Sequence, residues 1–254
     1  MTDFKDTFEM QFHQKYMTLG QNYFVSHKGN QEENGLKLVH SLDFRRINDF
    51  VKGVKEDDYQ FYDDYPNCKE VVIMGSANSG KSSLINALNN GTKIAYTAKT
   101  SGKTQELNFY QVQHSLNKKM RGMIVDTPGY GYVFAPIHLK LKWRKMIFKY
   151  LGFGVRVNMI ILCVNGHLGL KSNDLQMLED LQHLNKPVQV VLTKVDKIKD
   201  QKDIVRIVSD TTSQLQKFNK FVFPMVHITS ADHLFGMPEL RAKIGIAFEE
   251  NLKV

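Results

Sequence analysis

From Pro66 onward, short apolar runs alternate with stretches whose apolar residues recur at helical spacing. Residues 70–74, 107–112, 122–125, 157–164, 188–192 and 221–228 read as strands, and segments near 81–90, 138–151, 173–184, 200–218 and 237–250 read as helices. This order predicts an α/β fold, a six-stranded and mostly parallel sheet covered by helices on both faces. The runs 107–112 and 122–125 are joined by a polar turn around Asn117-Lys118-Lys119, so they form a hairpin and make one strand antiparallel. Residues 1–65 lack sustained periodicity and close on an acidic, aromatic stretch from Glu56 to Tyr65. They read as an extension with partial helix ahead of a body spanning 66–254. Within the extension, Phe4, Phe8 and Phe12 recur every four residues, which predicts a short amphipathic helix that docks on the body. Internal repeats and low-complexity tracts are lacking.

The chain has 254 residues, 42% hydrophobic and 24% charged, enough for one well-packed domain with an appendage. Its apolar runs are strand-sized, well short of the roughly 20 residues that span a bilayer, so no integral membrane insertion is expected. Two distant cysteines, Cys68 and Cys163, beside or within apolar runs, read as buried reduced thiols without metal spacing. Dividing the net charge of +8 changes the picture. Residues 1–65 carry 8 Lys/Arg against 12 Asp/Glu, whereas residues 66–254 carry 26 against 14. A basic body behind an acidic lead-in fits a polyanionic partner, or simply a lysine-rich soluble surface.

The chemistry begins where the first strand of the body ends. Gly75-Ser76-Ala77-Asn78-Ser79-Gly80-Lys81-Ser82, followed by Ser83, has the form G-x-x-x-x-G-K-[ST] between a strand and a helix. Glycines at both ends let backbone N–H groups turn around phosphates, and the helix N-terminus adds its positive pole. Lys81 would reach the β- and γ-phosphates, and the Ser82 hydroxyl would ligate Mg²⁺. Thr193-Lys194-Val195-Asp196 then selects the base. The Asp196 carboxylate accepts from the guanine N1–H and 2-amino group; adenine offers neither donor, so a buried carboxylate would be left unpaired against it. Lys194 would lay its alkyl stem along the base. After the last strand, Thr229-Ser230-Ala231 would supply a backbone N–H to the guanine 6-oxo group.

Two further segments respond to the γ-phosphate. Thr100-Ser101-Gly102-Lys103-Thr104 lies between the first helix and the hairpin, with Thr104 best placed to sense γ-phosphate through Mg²⁺. Asp126-Thr127-Pro128-Gly129 reads D-x-x-G; Asp126 would hold Mg²⁺ through water and the Gly129 N–H would bond the γ-phosphate. Together these elements imply GTP and GDP as ligands with Mg²⁺. After Gly129 comes Tyr130, where many such proteins carry a water-positioning glutamine. Asn78 therefore has two open readings: its side-chain oxygen holds K⁺ against the phosphates, or it only shapes the loop. The catalytic set is Lys81, Asn78, Thr104 and Gly129.

With these residues in place, the sequence resembles the EngB (YihA/YsxC) family of ribosome-biogenesis GTPases, within the TRAFAC class of P-loop GTPases. The resemblance spans about residues 68 to 248. It is carried by N-x-G-K-S-S-L-I-N-A-L from Asn78 to Leu88, by Gly102 to Phe109, by D-T-P-G-Y-G-Y from Asp126 to Tyr132, and by Trp143 and Tyr150-Leu151. Ser76, Ala77, Ser79, Ser101, Lys103 and Asn165 depart from the usual family residues. The resemblance implies a P-loop GTPase fold, slow intrinsic GTP hydrolysis, and action as a monomeric assembly factor on the large ribosomal subunit precursor and its rRNA, alongside ribosomal proteins or other assembly factors. A divergent copy with an extended N-terminus resembles an organellar member, which places it in the mitochondrial matrix, with the cytoplasm or another organelle's stroma as alternatives. Lys140, Lys142, Arg144, Lys145 and Lys149, with Arg156 after them, crowd the helix that follows the second switch segment. That helix is an RNA-facing surface or a solvated basic face, with Trp143, Ile147 and Tyr150 as its buried stripe. The competing function is an interaction protein that holds GTP structurally with negligible turnover. A membrane-associated GTPase is a third reading, and no lipidation signal supports it.

Overall fold

In the computed structural model, residues 42–43, 50–54, 68–95, 106–114, 120–131, 136–153 and 156–249 are described. The Phe4/Phe8/Phe12 helix, the partial helix of the extension and the hairpin turn at Asn117–Lys119 lie outside them. Eight strands form one sheet: β1 (Leu42–Asp43), β2 (Phe50–Val54), β3 (Lys69–Gly75), β4 (Leu107–His114), β5 (Met120–Asp126), β6 (Val157–Asn165), β7 (Val188–Thr193) and β8 (His227–Ile228). The spatial order is β1-β4-β5-β3-β6-β7-β8, with β2 also paired to β4. All six strands expected in the body are present. β5, β3, β6, β7 and β8 pair in parallel, and β4 is antiparallel to β5 as the hairpin reading requires. β1 and β2 add antiparallel pairings to the outer side of β4, so part of the lead-in belongs to the sheet.

β3 is apolar almost throughout because it is buried on both faces. Val71 and Ile73 enter one core, while Val72 and Met74 enter the other, as a period of two demands. Helices α1 (Lys81–Leu88) and α5 (Met237–Glu249) cover the first face through Leu84, Ile85, Leu240 and Ile244. Helices α2 (Ile137–Phe153), α3 (Ser172–Leu181) and α4 (Gln201–Leu215) cover the second through Ile147, Tyr150, Leu178, Ile204 and Leu215. Trp143, Ile147 and Tyr150 are buried, which confirms them as the packing stripe of α2. Both cysteines are free and buried.

The last strand is the main revision. The run 221–228 keeps only His227–Ile228 as strand, plus a single bridge from Val222 to Val188. Pro224 interrupts the run: it supplies no N–H for a ladder, so pairing resumes only beyond it. α3 and α4 each finish in a single 3₁₀ turn, at Gln182–Leu184 and Gln216–Phe218, which accounts for their expected extra length.

Candidate functional site

Four of the loops carrying the expected chemistry leave the C-terminal ends of β3, β5, β7 and β8, the usual ligand edge of an open parallel sheet. β3 ends at Gly75, and the loop to α1 closes at Gly80, whose φ of +96° favours a residue without a Cβ. Asn78 also adopts a left-handed conformation, which asparagine tolerates, and its side chain is exposed on the loop's rim. Inside the loop, Lys81 is buried and donates to the carbonyl oxygens of Gly75 (3.0 Å) and Ser76 (3.1 Å). Burial lowers its pKa, opposed by the nearby Asp126 carboxylate. A buried cation resting on backbone carbonyls is ready to exchange those weak acceptors for phosphate oxygens.

Asp126, at the end of β5, is almost wholly buried. Its Oδ2 accepts from the Ser82 hydroxyl at 3.1 Å, and its Oδ1 has no hydrogen-bond partner among the described residues. Burial pushes its pKa up to about 6 against the opposing pull of Lys81 and Ser82. An orphaned carboxylate oxygen beside a hydroxyl fits a hard divalent cation, which takes oxygen donors and would favour the charged form. No group of three or more His, Cys, Asp or Glu side chains forms a metal cluster among the described residues. A site built from Ser82, Asp126 and phosphate oxygens needs none.

The Asp126–Gly129 segment and Tyr130 lie directly against the phosphate loop. Tyr130 N donates to Gly75 O at 3.3 Å, and Ala77 N donates to Tyr130 O at 2.9 Å. A Cβ on Gly129 would stand 3.0 Å from both Ala77 Cα and Lys81 Nζ, so only glycine allows this approach without movement. The Tyr130 side chain, in the place of the usual glutamine, donates its phenol to Asp174 Oδ1 at 2.8 Å. Asp174 Oδ2 accepts from the Lys171 N–H at 3.0 Å, so one carboxylate both caps α3 and holds Tyr130.

At the base-selecting end, Lys194 takes a left-handed conformation and its Nζ donates to Asn78 O at 2.7 Å. The Thr193 hydroxyl donates to Ser79 O, with Val164 O 3.2 Å away as a further acceptor. Threonine at the head of this motif thus ties β7 to the phosphate loop and to β6. Asp196 follows in a 3₁₀ turn, partly exposed. Val195 N donates to Thr229 O at 3.3 Å, which sets the 229–231 loop beside it. Ser230 pairs through its backbone with Phe235, and its side chain accepts from His233 N.

The structure therefore brings together Gly75 to Ser83, Asp126 to Gly129, Thr193 to Asp196, and Thr229 to Ala231. Thr100, Ser101, Gly102, Lys103 and Thr104 lie outside the described residues. The sequence reading missed Asp174; an acidic residue at the third position of a helix was the available signal.

Comparison with known proteins agrees with this geometry. Residues 70–194 match the family model described as 50S ribosome-binding GTPase. The probable GTP-binding protein EngB of Mesorhizobium japonicum is 36% identical over 182 residues, covering 70% of this chain and 84% of that one. The EngB protein of Bradyrhizobium diazoefficiens is 38% identical over 181 residues, covering 71% of this chain and 81% of its own. Among solved structures, a probable EngB superposes with a TM-score of 0.51 at 21% identity, covering 71% of this chain and 98% of that chain. Aquifex aeolicus Era bound to GDP and aluminium fluoride superposes at 0.58 with 24% identity, covering 73% and 58%; at these identities the likeness shows the fold. The phosphate loop, the D-x-x-G segment folded against it, the T-K-x-D loop tied to the phosphate loop, and this degree of relatedness establish that the chain belongs to the EngB family of GTP-binding proteins and is a GTPase.

Proposed function

We propose that this GTPase is an assembly factor of the large ribosomal subunit, engaging the precursor and its rRNA in the GTP state and leaving after hydrolysis. The observation that carries the reading is the position of α2. The helix starts soon after the Asp126–Gly129 segment and exposes His138, Lys142 and Lys145 along its outer side. Arg144 pairs with Asp180 at 2.6 Å and lies over the Phe148 ring. A cationic helix joined to a nucleotide-responsive segment couples γ-phosphate to affinity for a polyanion. The match to a ribosome-binding GTPase family supports the same partner class.

Ser82, Asp126 and Thr104 would hold Mg²⁺, which supplies charge neutralisation at the β- and γ-phosphates when bound. K⁺ at Asn78 belongs to the same proposal, because Tyr130 is turned to Asp174 and offers no amide to orient water. The compartment proposed is the mitochondrial matrix.

The test is co-sedimentation with large-subunit precursors, comparing a non-hydrolysable GTP analogue with GDP. Sedimentation only with the analogue is the expected result. Equal sedimentation with both nucleotides would make the nucleotide a structural ligand, and no sedimentation with either would remove the ribosome from the account.

A further inference from the structure

β5 and β6 flank β3 in the sheet, so the chain leaving β5 and helix α3, which follows β6, stand on either side of the phosphate loop. Tyr130 joins the two sides. Its backbone forms a single parallel bridge with Ser76, accepting from Ala77 N at 2.9 Å and donating to Gly75 O at 3.3 Å. Its side chain packs against the core on the second face, and the phenol reaches Asp174 in the first turn of α3 at 2.8 Å. Gly131 follows in a left-handed conformation, so close to α3 that an added Cβ would stand 2.9 Å from Asn173 Nδ2.

Asp174 is a rigid acceptor. It is 2% exposed, and each carboxylate oxygen has its own donor, the Tyr130 phenol on Oδ1 and the Lys171 N–H on Oδ2. The positive pole at the start of α3 favours its charge, and a bond to a charged acceptor is stronger than one between neutral groups. The backbone hold on Tyr130 is slighter, an isolated bridge with one long bond and no ladder beyond it. Directly before Tyr130 stands Gly129, where an added Cβ would lie 3.0 Å from Lys81 Nζ and from Ala77 Cα. Wherever Tyr130 is held, the Gly129 N–H is held with it, over the lysine that serves the phosphates.

We infer that Asp174 is a positioning residue for the γ-phosphate: through the Tyr130 phenol it fixes the Gly129 N–H against the phosphate loop. The inference rests on the reading that this N–H bonds the γ-phosphate. A carboxylate that only capped α3 would support folding, and its loss would weaken GDP and GTP equally. A carboxylate that positions Gly129 acts selectively on the triphosphate, because only the γ-phosphate meets that N–H.

The experiment measures Kd for GDP and for a non-hydrolysable GTP analogue, with Mg²⁺, in the full chain and in Tyr130→Phe, Asp174→Ala, Asp174→Asn, the double variant Tyr130→Phe/Asp174→Ala, and Gly129→Ala. Tyr130→Phe is expected to leave GDP affinity within about twofold and to weaken the analogue about tenfold, the scale of one hydrogen bond to a charged group. Asp174→Ala should shift the ratio of the two affinities equally, and the double variant should shift it no further, since Asp174 acts through the phenol. Asp174→Asn should restore part of the ratio, because the amide oxygen can keep the Lys171 N–H while Nδ2 donates to the phenol oxygen. Tyr130→Phe leaves the α3 cap intact and carries the same comparison if Asp174→Ala unfolds. Three results would overturn the inference and leave Gly129 in its role, provided that Gly129→Ala lowers the ratio: equal losses for both nucleotides, an unchanged ratio in Tyr130→Phe and Asp174→Ala, or an Asp174→Ala effect that persists undiminished without the phenol. An unchanged ratio in every variant would overturn the role of Gly129 as well.

Discussion

Tyr130 and Asp174 lie 44 positions apart in the chain and are joined by a 2.8 Å hydrogen bond from the phenol to a carboxylate oxygen. Burial and the adjacent carboxylate both raise the Tyr130 pKa well above its ordinary value, so the phenol stays a donor across the working pH range. Tyr130→Phe removes that donor and leaves one carboxylate oxygen unmatched. It should cost about 1.5 kcal/mol, the range for hydrogen bonds to charged groups. Urea denaturation should show a lower midpoint with an unchanged slope. Asp174→Ala should cost more, because it also frees the Lys171 N–H. The double variant should fall short of the sum, since both changes break the same bond.

Asp196, the residue expected to select the base, stands in a turn whose Val195 N–H donates to Thr229 O. Asp196→Asn keeps the size of the side chain but replaces one acceptor with a donor. Affinity for GTP should fall on the order of 10²-fold or more, the scale of a recognition site left with mismatched polar groups, and affinity for the xanthine nucleotide should rise. Competition between the two nucleotides for a fluorescent analogue measures both. Unchanged preference for guanine would remove Asp196 from base recognition.

What could be read from the sequence has a physical pattern. Phosphate and guanine impose residue types at fixed short spacings, so Gly75 to Ser82, Asp126 to Gly129 and Thr193 to Asp196 were legible before any fold was known. Val71–Met74 and Met159–Val164 announced themselves because strands buried on both faces form nearly continuous apolar runs. The bonds from Thr193 to Ser79, from Tyr130 to Asp174 and from Arg241 to α1 were not legible. Each depends on which loops the sheet order brings together, and local spacing carries no trace of that. β1 and β2 escaped for another reason: runs of two and five residues are too short to show a clear alternation. In β8, one proline shortened a run whose apolar content alone looked uniform.

A buried carboxyl far from the nucleotide loops gives a pH signature. Glu70 sits at the start of β3, fully buried, and its Oε2 accepts from Tyr150 OH at 2.6 Å. Oε1 has no hydrogen-bond partner among the described residues. Burial raises the pKa above its ordinary value, opposed by the Tyr150 bond, Arg156 and Lys186. The folded state thus holds this proton to higher pH than the unfolded chain. Its stabilising contribution is full below the unfolded pKa and is lost as pH rises through the folded one. Glu70→Gln keeps an acceptor for Tyr150 and cannot ionise. It should be more stable than the parent by about 1 kcal/mol above that window, with the difference vanishing below it. Thermal unfolding from pH 4 to pH 8 tests this, and a difference independent of pH would rule out titration of Glu70 as its source.

The outer side of α2 gives the sharpest test of the ribosomal proposal, because it separates charge from packing. Lys142 and Lys145 are exposed, whereas Trp143, Met146 and Ile147 face the core, so alanine at the two lysines should leave the fold and GDP affinity intact. If both lysines contact phosphates, the paired substitution should weaken binding to large-subunit precursors across all salt concentrations. It should also reduce the slope of log affinity against log salt by roughly two, about one for each lost phosphate contact. Arg144→Ala should act differently. Its guanidinium is paired with Asp180 in α3, so its loss should lower thermal stability more than it changes the salt slope. A paired lysine variant with unaltered affinity and slope would return α2 to the status of a solvated basic face and move the search for the contact elsewhere on the molecule.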